Sequence, residues 1–155
     1  MKPRLYMETT IPSYLTSRPS RDLVIAGHQQ VTREWWENRR DAFEIYISQL
    51  VIDEARAGDP DAARERMLIV QEFALLDITP EVVQLASAIL TSGILPRKAA
   101  TDAAHIAIAA VHGIDFLLTW NCAHLANAVV AKAVANVCRQ QDWESPVICT
   151  PEELF

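Results

Sequence analysis

Short apolar runs alternate with longer amphipathic ones along this chain. Leu5-Tyr6-Met7-Glu8 is apolar up to its last residue and predicts a first strand closed by Glu8. Phe43, Ile45 and Ile47 alternate with Glu44 and Tyr46, the periodicity of a strand. Leu75–Ile78, Phe116–Thr119 and Val147–Cys149 are further strand candidates. Helical segments lie between them. Thr10-Ile11-Pro12 pairs a capping hydroxyl with a proline near the first helical position. The polar stretch Thr16–Arg21 precedes a long helix over about Asp22 to Arg40, rich in charge and carrying Trp35 and Trp36. Ser48 stands where it would cap a helix containing Val51, Ile52, Glu54 and Ala55, ended by Gly58. Asp59-Pro60 opens another helix with a capping residue and a proline. Thr79-Pro80-Glu81 opens the next, where Val82, Leu85, Ala86 and Ile89 share a face and Gly93 stops the run. Helices over Ala99–Val111 and Ala128–Cys138 follow, and Thr150 with Glu153 has capping-box spacing.

Strands alternating with helices predict an α/β fold with a mainly parallel sheet flanked by helices. With no internal repeat and no linker, a single domain over 1–155 is expected. A chain of this length buries roughly 70% of its unfolded surface, enough for a real core. The net charge of −6 excludes a protein that coats nucleic acid through its phosphates, which needs a basic excess. It suits an enzyme whose bound divalent metal supplies positive charge at a phosphate, or a cationic partner protein. The three cysteines, Cys122, Cys138 and Cys149, have no Cys-x-x-Cys spacing, which argues for free thiols in a reducing cytoplasm. The first residues hold no apolar signal core. No apolar run reaches the ~20 residues that span a bilayer, and the longest, Ala128–Val137, is broken by Lys132 and Asn136.

In βαβ units, strand C-termini and helix N-termini share one edge of the sheet, and ligands bind there. Four polar residues fall on that edge: Glu8 at the end of the first strand, Glu54 early in the helix after the second, Asp102 early in Ala99–Val111, and Asn121 after Phe116–Thr119. Three carboxylates and an amide suit Mg2+ or Mn2+, which take oxygen ligands, and without metal the cluster repels itself and raises pKa values. Each residue also has a plainer role. Glu8 can be an exposed strand end, and Glu54 a solvated helix acid with Asp53 as its rival. Asp102 is favoured by the helix dipole alone, and Asn121 by turn chemistry. His105, three residues after Asp102, can orient it or approach substrate, or be a satisfied core histidine. His124 stands near the mouth of the site, and with Cys122 it lacks the second ligand pair that zinc needs. Thr9 and Thr119 can hold a carboxylate or satisfy backbone. Arg18, Arg21, Arg97 and Lys98 flank the edge and can receive phosphates or simply be solvated. Trp35 and Trp36 are expected in a core or a dimer interface, and Trp120 against substrate.

These blocks carry a resemblance. Tyr6-Met7-Glu8-Thr9-Thr10-Ile11 resembles the opening strand of PIN domains, where an acid followed by Ser, Thr or Asn ends the strand. Ile47-Ser48-Gln49-Leu50-Val51-Ile52-Asp53-Glu54 is similar to their second block, and Asp102-Ala103-Ala104-His105-Ile106-Ala107-Ile108-Ala109 to their third, the most distinctive one here. Leu117-Leu118-Thr119-Trp120-Asn121 resembles the fourth. The order and intervals fit over essentially the whole chain. The resemblance implies a PIN-like α/β/α sandwich and Mg2+- or Mn2+-dependent cleavage of RNA. It also implies the VapC-type toxin of a type II toxin–antitoxin pair, dimeric and silenced by a small antitoxin. Glu8, Glu54 and Asp102 match the acidic positions and Asn121 the fourth. Two residues depart from the pattern. Glu8 stands where Asp is usual, one methylene further from the backbone. Asn121 stands where Asp is common and adds no charge, so a second metal would bind more weakly. The alternative these departures favour is a catalytically weak or inactive PIN-fold binding or regulatory protein; a third option is hydrolysis of another phosphate ester.

Overall fold

The computed structural model describes residues 1–155. Five strands, β1 (Arg4–Met7), β2 (Glu44–Ser48), β3 (Ala74–Leu76), β4 (Phe116–Leu118) and β5 (Val147–Cys149), form one sheet in the order β3-β2-β1-β4-β5. Every pairing is parallel. A parallel sheet needs cover on both faces, and its central strands β1, from Leu5 onward, and β4 are accordingly runs of apolar residues, whereas β2 alternates. Leu5, Tyr6 and Met7 of the central strand are all fully buried. The helices are α1 (Thr10–Thr16), α2 (Leu23–Asn38), α3 (Gln49–Arg56), α4 (Pro60–Val70), α5 (Pro80–Thr91), α6 (Ala100–Val111) and α7 (Ala128–Gln140). α5 packs on α6, α3 on α4, and α1 against both α2 and α4. A core of 31 buried apolar residues joins these layers to the sheet, with six of the twelve residues of α6, from Ala103 through Ala110, within it.

The chain lays β2 and β3 to one side of β1, then returns to place β4 and β5 on the other. The order reverses between β1 and β4. Such a switch point opens a crevice beyond the strand C-termini, and Glu8 and Thr119 each follow one of those two strands.

Local chemistry explains most boundaries. Asp22 caps α2 by accepting from Val24 and Ile25 N–H, and Asp59 and Thr79 cap α4 and α5. α6 ends at Gly113, whose φ of +66° is left-handed. The Ile114 N–H reaches Ala109 O at 2.9 Å and buried Ile114 closes the turn, a Schellman stop.

Three local expectations are corrected. α1 starts at Thr10, so Pro12 is its third residue rather than its first, and no residue side chain at Thr9 caps it. The Glu8 carboxylate takes that place, accepting the Thr10 N–H at 3.2 Å. Ser48 occupies the N-cap position of α3 without a capping bond, because its hydroxyl is bonded to Tyr6 instead. The third strand covers Ala74–Leu76 and stops before Asp77 and Ile78, which are exposed. No helix is long and apolar enough to cross a membrane.

Candidate metal centre

Glu8 follows β1 directly and is 4% exposed. Its Oε1 takes three donors: the Thr10 hydroxyl at 2.5 Å, the Thr119 hydroxyl at 2.6 Å and the Thr10 N–H. Oε2 takes none of these and has no hydrogen-bond partner in the protein. Burial pushes the Glu8 carboxyl above the ordinary carboxylate range, against the pull of His105 and the threonine donors.

Glu54 lies near the end of eight-residue α3, not early in it as the sequence pattern suggested. Its rival Asp53 is exposed and engaged by Gln49 Nε2 at 2.9 Å. Glu54 Oε1 accepts from the Thr9 hydroxyl and from His105 Nε2, both at 2.8 Å. Burial would raise its carboxyl, but the hydrogen bond and charge of His105, helped by Thr9, outweigh that and hold it below the ordinary range. Glu8, Glu54 and His105 each present a ligand-type atom, all within 4.8 Å of one another.

His105 is fully buried on α6. Its second nitrogen, Nδ1, is 2.6 Å from the Tyr6 hydroxyl, which is 2.7 Å from the Ser48 hydroxyl. The histidine is therefore a satisfied core residue, and the acid it contacts is Glu54 rather than Asp102. Burial, with the nearby Glu8 and Glu54 charges, holds the Tyr6 phenol well above its usual range in spite of the Ser48 hydrogen bond.

Asp102 is the third residue of α6. Its Oδ1 accepts from Asn121 Nδ2 at 3.3 Å, and its Oδ2 lies 3.1 Å from His124 Nδ1. Asn121 Oδ1 accepts the His124 N–H at 3.1 Å. The Asn121 N–H donates to Thr119 Oγ1 at 2.9 Å, and that hydroxyl donates to Glu8. A hydrogen-bonded line thus connects Glu8, Thr119, Asn121, Asp102 and His124. Glu8 and Glu54 form the tight part of the site. Asp102 and Asn121 adjoin it on the same edge, with Asp102 outside the 4.8 Å set.

The other flanking residues divide. Arg18, Arg21, Arg97 and Lys98 are exposed and form no ion pair with an acid. Trp120, expected to meet substrate, is 6% exposed. Its ring is stacked 4.0 Å from His28 and 6.0 Å from Tyr14, with Nε1 donating to Thr32 Oγ1 at 2.7 Å. Tyr14 of α1 and His28 of α2 both stack with the ring, and its burial leaves little surface for a base. Trp35 is core, as expected, and Trp36 packs edge-on against Phe73. The sequence pattern gives Tyr6, Thr10 and Ser48 no role in the site. The signal for Tyr6 is its position two residues before Glu8, which places both on one strand face.

The donor set fits a hard divalent cation. A desolvated carboxylate with one free oxygen faces a second carboxylate that stays ionised, and a cation relieves the repulsion between them. Glu8, Glu54 and the adjoining Asp102 supply oxygen.

No protein-family model matches the chain, and no curated protein matches its sequence. Among solved structures it is similar to a chain in the crystal structure of VapBC2 from Rickettsia felis bound to a DNA fragment from their promoter. The TM-score is 0.61 at 14% identity, covering 94% of this chain and 98% of that one. An identity so low speaks to backbone architecture, and the agreement runs over nearly the full length of both chains. This protein has a VapC-like PIN fold: an α/β architecture with a five-stranded parallel sheet flanked by helices.

Proposed function

We propose that this protein is a metal-dependent endoribonuclease of the PIN-domain type, the toxin of a type II toxin–antitoxin pair. The observation that carries the proposal is the meeting of Glu8 and Glu54 at the β1–β4 switch point, with Asp102 linked to them through Asn121 and Thr119. Residues 1–155 act as one PIN-like domain. Glu8, Glu54 and Asp102 hold Mg2+ or Mn2+, and Asn121 orients Asp102 beside them. The metal supplies positive charge for a scissile phosphate and makes water a better nucleophile at neutral pH. Thr10 and Thr119 fix Glu8 with Oε2 toward the cation. The unpaired cations Arg18, Arg21, Arg97 and Lys98 offer phosphate contacts to RNA.

The similar structure is of a VapBC pair, which supports a small protein antitoxin here. The net charge of −6 suits a cationic partner segment. The protein works in the cytoplasm as a homodimer, which sedimentation would check.

Purified protein with Mn2+ cuts structured RNA, and Asp102→Ala abolishes the cutting. Equal cleavage by the mutant would trace the activity to a contaminant and end the proposal. Parallel assays on DNA and nucleotides separate ribonuclease from a wider phosphate-ester hydrolase.

One observation favours a second reading. Both Asp102 oxygens and the Asn121 carbonyl are occupied by protein partners, as in a weakened or inactive site retained for binding. That reading predicts negligible divalent-metal affinity by calorimetry, and micromolar binding would reject it.

A further inference from the structure

Ser48, Tyr6 and His105 form a buried file of hydrogen bonds that ends on Glu54 Oε1. All three residues are 0% exposed, while the Glu54 side chain is 38% exposed. A half-exposed glutamate has several rotamers open to it, and the file removes that freedom at one end. We propose that His105, braced by Tyr6 and Ser48, is a positioning residue that fixes which Glu54 oxygen faces the centre and thereby sets the affinity for a divalent cation. The proposal rests on the metal-centre assignment of Glu8 and Glu54 above.

The chemistry of the file is directional. An ionised Glu54 has no proton to give, so His105 Nε2–H must donate to it. With the ring neutral, Nδ1 accepts from the Tyr6 hydroxyl, whose oxygen accepts from Ser48. With the ring doubly protonated, Nδ1–H donates to Tyr6 and Tyr6 donates to Ser48. The bond to Glu54 survives both states, so it acts as a strut whatever the charge. A proton sits on Nε2 in each, which makes oxygen rather than this nitrogen the group turned to the cation. Tyr6 stands on β1 two residues before Glu8 and shares its face. The strand that delivers one carboxylate therefore braces the other, through α6, across sequence separations of 42, 99 and 51 residues. Partners of this kind, one step removed from the ligands, typically change metal affinity 10–100-fold when deleted.

The test is titration calorimetry of Mn2+ into the full chain, with circular dichroism and the thermal midpoint measured in chelator. Tyr6→Phe keeps the ring and deletes the hydroxyl; about 10-fold weaker Mn2+ binding by folded protein is expected. His105→Leu weakens it about 100-fold, and His105→Gln, which keeps a donor near Nε2, recovers part of the loss. If His105→Leu fails to fold, the other two variants carry the test. Lower stability with unchanged Mn2+ affinity would make the file purely structural and overturn the proposal. Histidine nitrogen coupling to bound Mn2+ in electron spin-echo spectra, absent in His105→Gln, would make His105 a ligand and overturn it too. Both results leave the metal centre standing. Wild-type protein that binds no divalent cation sinks the centre and this inference together.

Discussion

Glu8 reaches one methylene further than an aspartate, and the structure puts that length to use. Oε1 sits between the Thr10 and Thr119 hydroxyls, which hold it while Oε2 stays open. On the proposed metal-centre reading, the arrangement would stabilise a metal complex at the expense of the empty protein. Because the folded pKa of Glu8 lies above its ordinary value of 4.5, its contribution to stability is complete below that pH and is lost as pH rises through the folded value. In chelator, Glu8→Gln should therefore be more stable than wild type at neutral pH, with the gap closing on acidification. Thermal melts across pH check this, and a constant gap would contradict it. Glu54 acts in the opposite sense, since its lowered pKa gives stability that is lost as pH falls below the carboxylate range. Asn121 allows a second test. Asn121→Asp places a carboxylate beside Asp102 Oδ1, so the metal-free melting point should fall while divalent-metal affinity rises. Unchanged affinity would remove Asn121 from the site.

At the scale of elements, the loop after β4 is held by the Trp120 side chain as well as by its own backbone, where the Leu125 and Ala126 N–H groups donate to Asn121 O. Trp120 stacks with His28 of α2 and with Tyr14 of α1. Its N–H donates to Thr10 Oγ1 at 2.8 Å, and that same hydroxyl donates to Glu8. Trp120→Ala should cost about 3–5 kcal/mol in denaturant unfolding, as for other buried aromatics. A substrate-stacking role would instead lower RNA binding with stability intact, so the two measurements together distinguish the roles. Loss of the Asp22 cap is a smaller matter: Asp22→Ala should destabilise by about 1 kcal/mol, read by the same method, without altering Mn2+ binding.

The whole molecule joins a strongly buried parallel sheet to an acidic surface. Cys138 and Cys149 lie within the core, and burial pushes the Cys149 thiol up to about 12, while Cys122 is exposed. A thiol reagent should modify one cysteine, Cys122, in the native protein and all three only after unfolding. Early reaction of Cys149 would show that the β5 edge opens independently of the rest.

Much of this organisation is local and could be read along the chain. Strand and helix alternate on short-range periodicity, Asp22, Asp59 and Thr79 announce helix starts, and Gly113 announces a stop. Parallel topology then brings strand ends to one edge, which is why Glu8, Glu54, Asp102 and Asn121 could be placed along that edge from their order, while the order left plainer roles open for each. Contacts between side chains remote in sequence carry no such local mark. That Ser48 would bond Tyr6 instead of capping α3, that His105 would hold Glu54 instead of Asp102, and that Trp120 would be buried against α1 and α2 followed only from packing. Hydrophobic patterning selects which face of an element is buried, whereas the partner met on that face depends on how all the layers close around it.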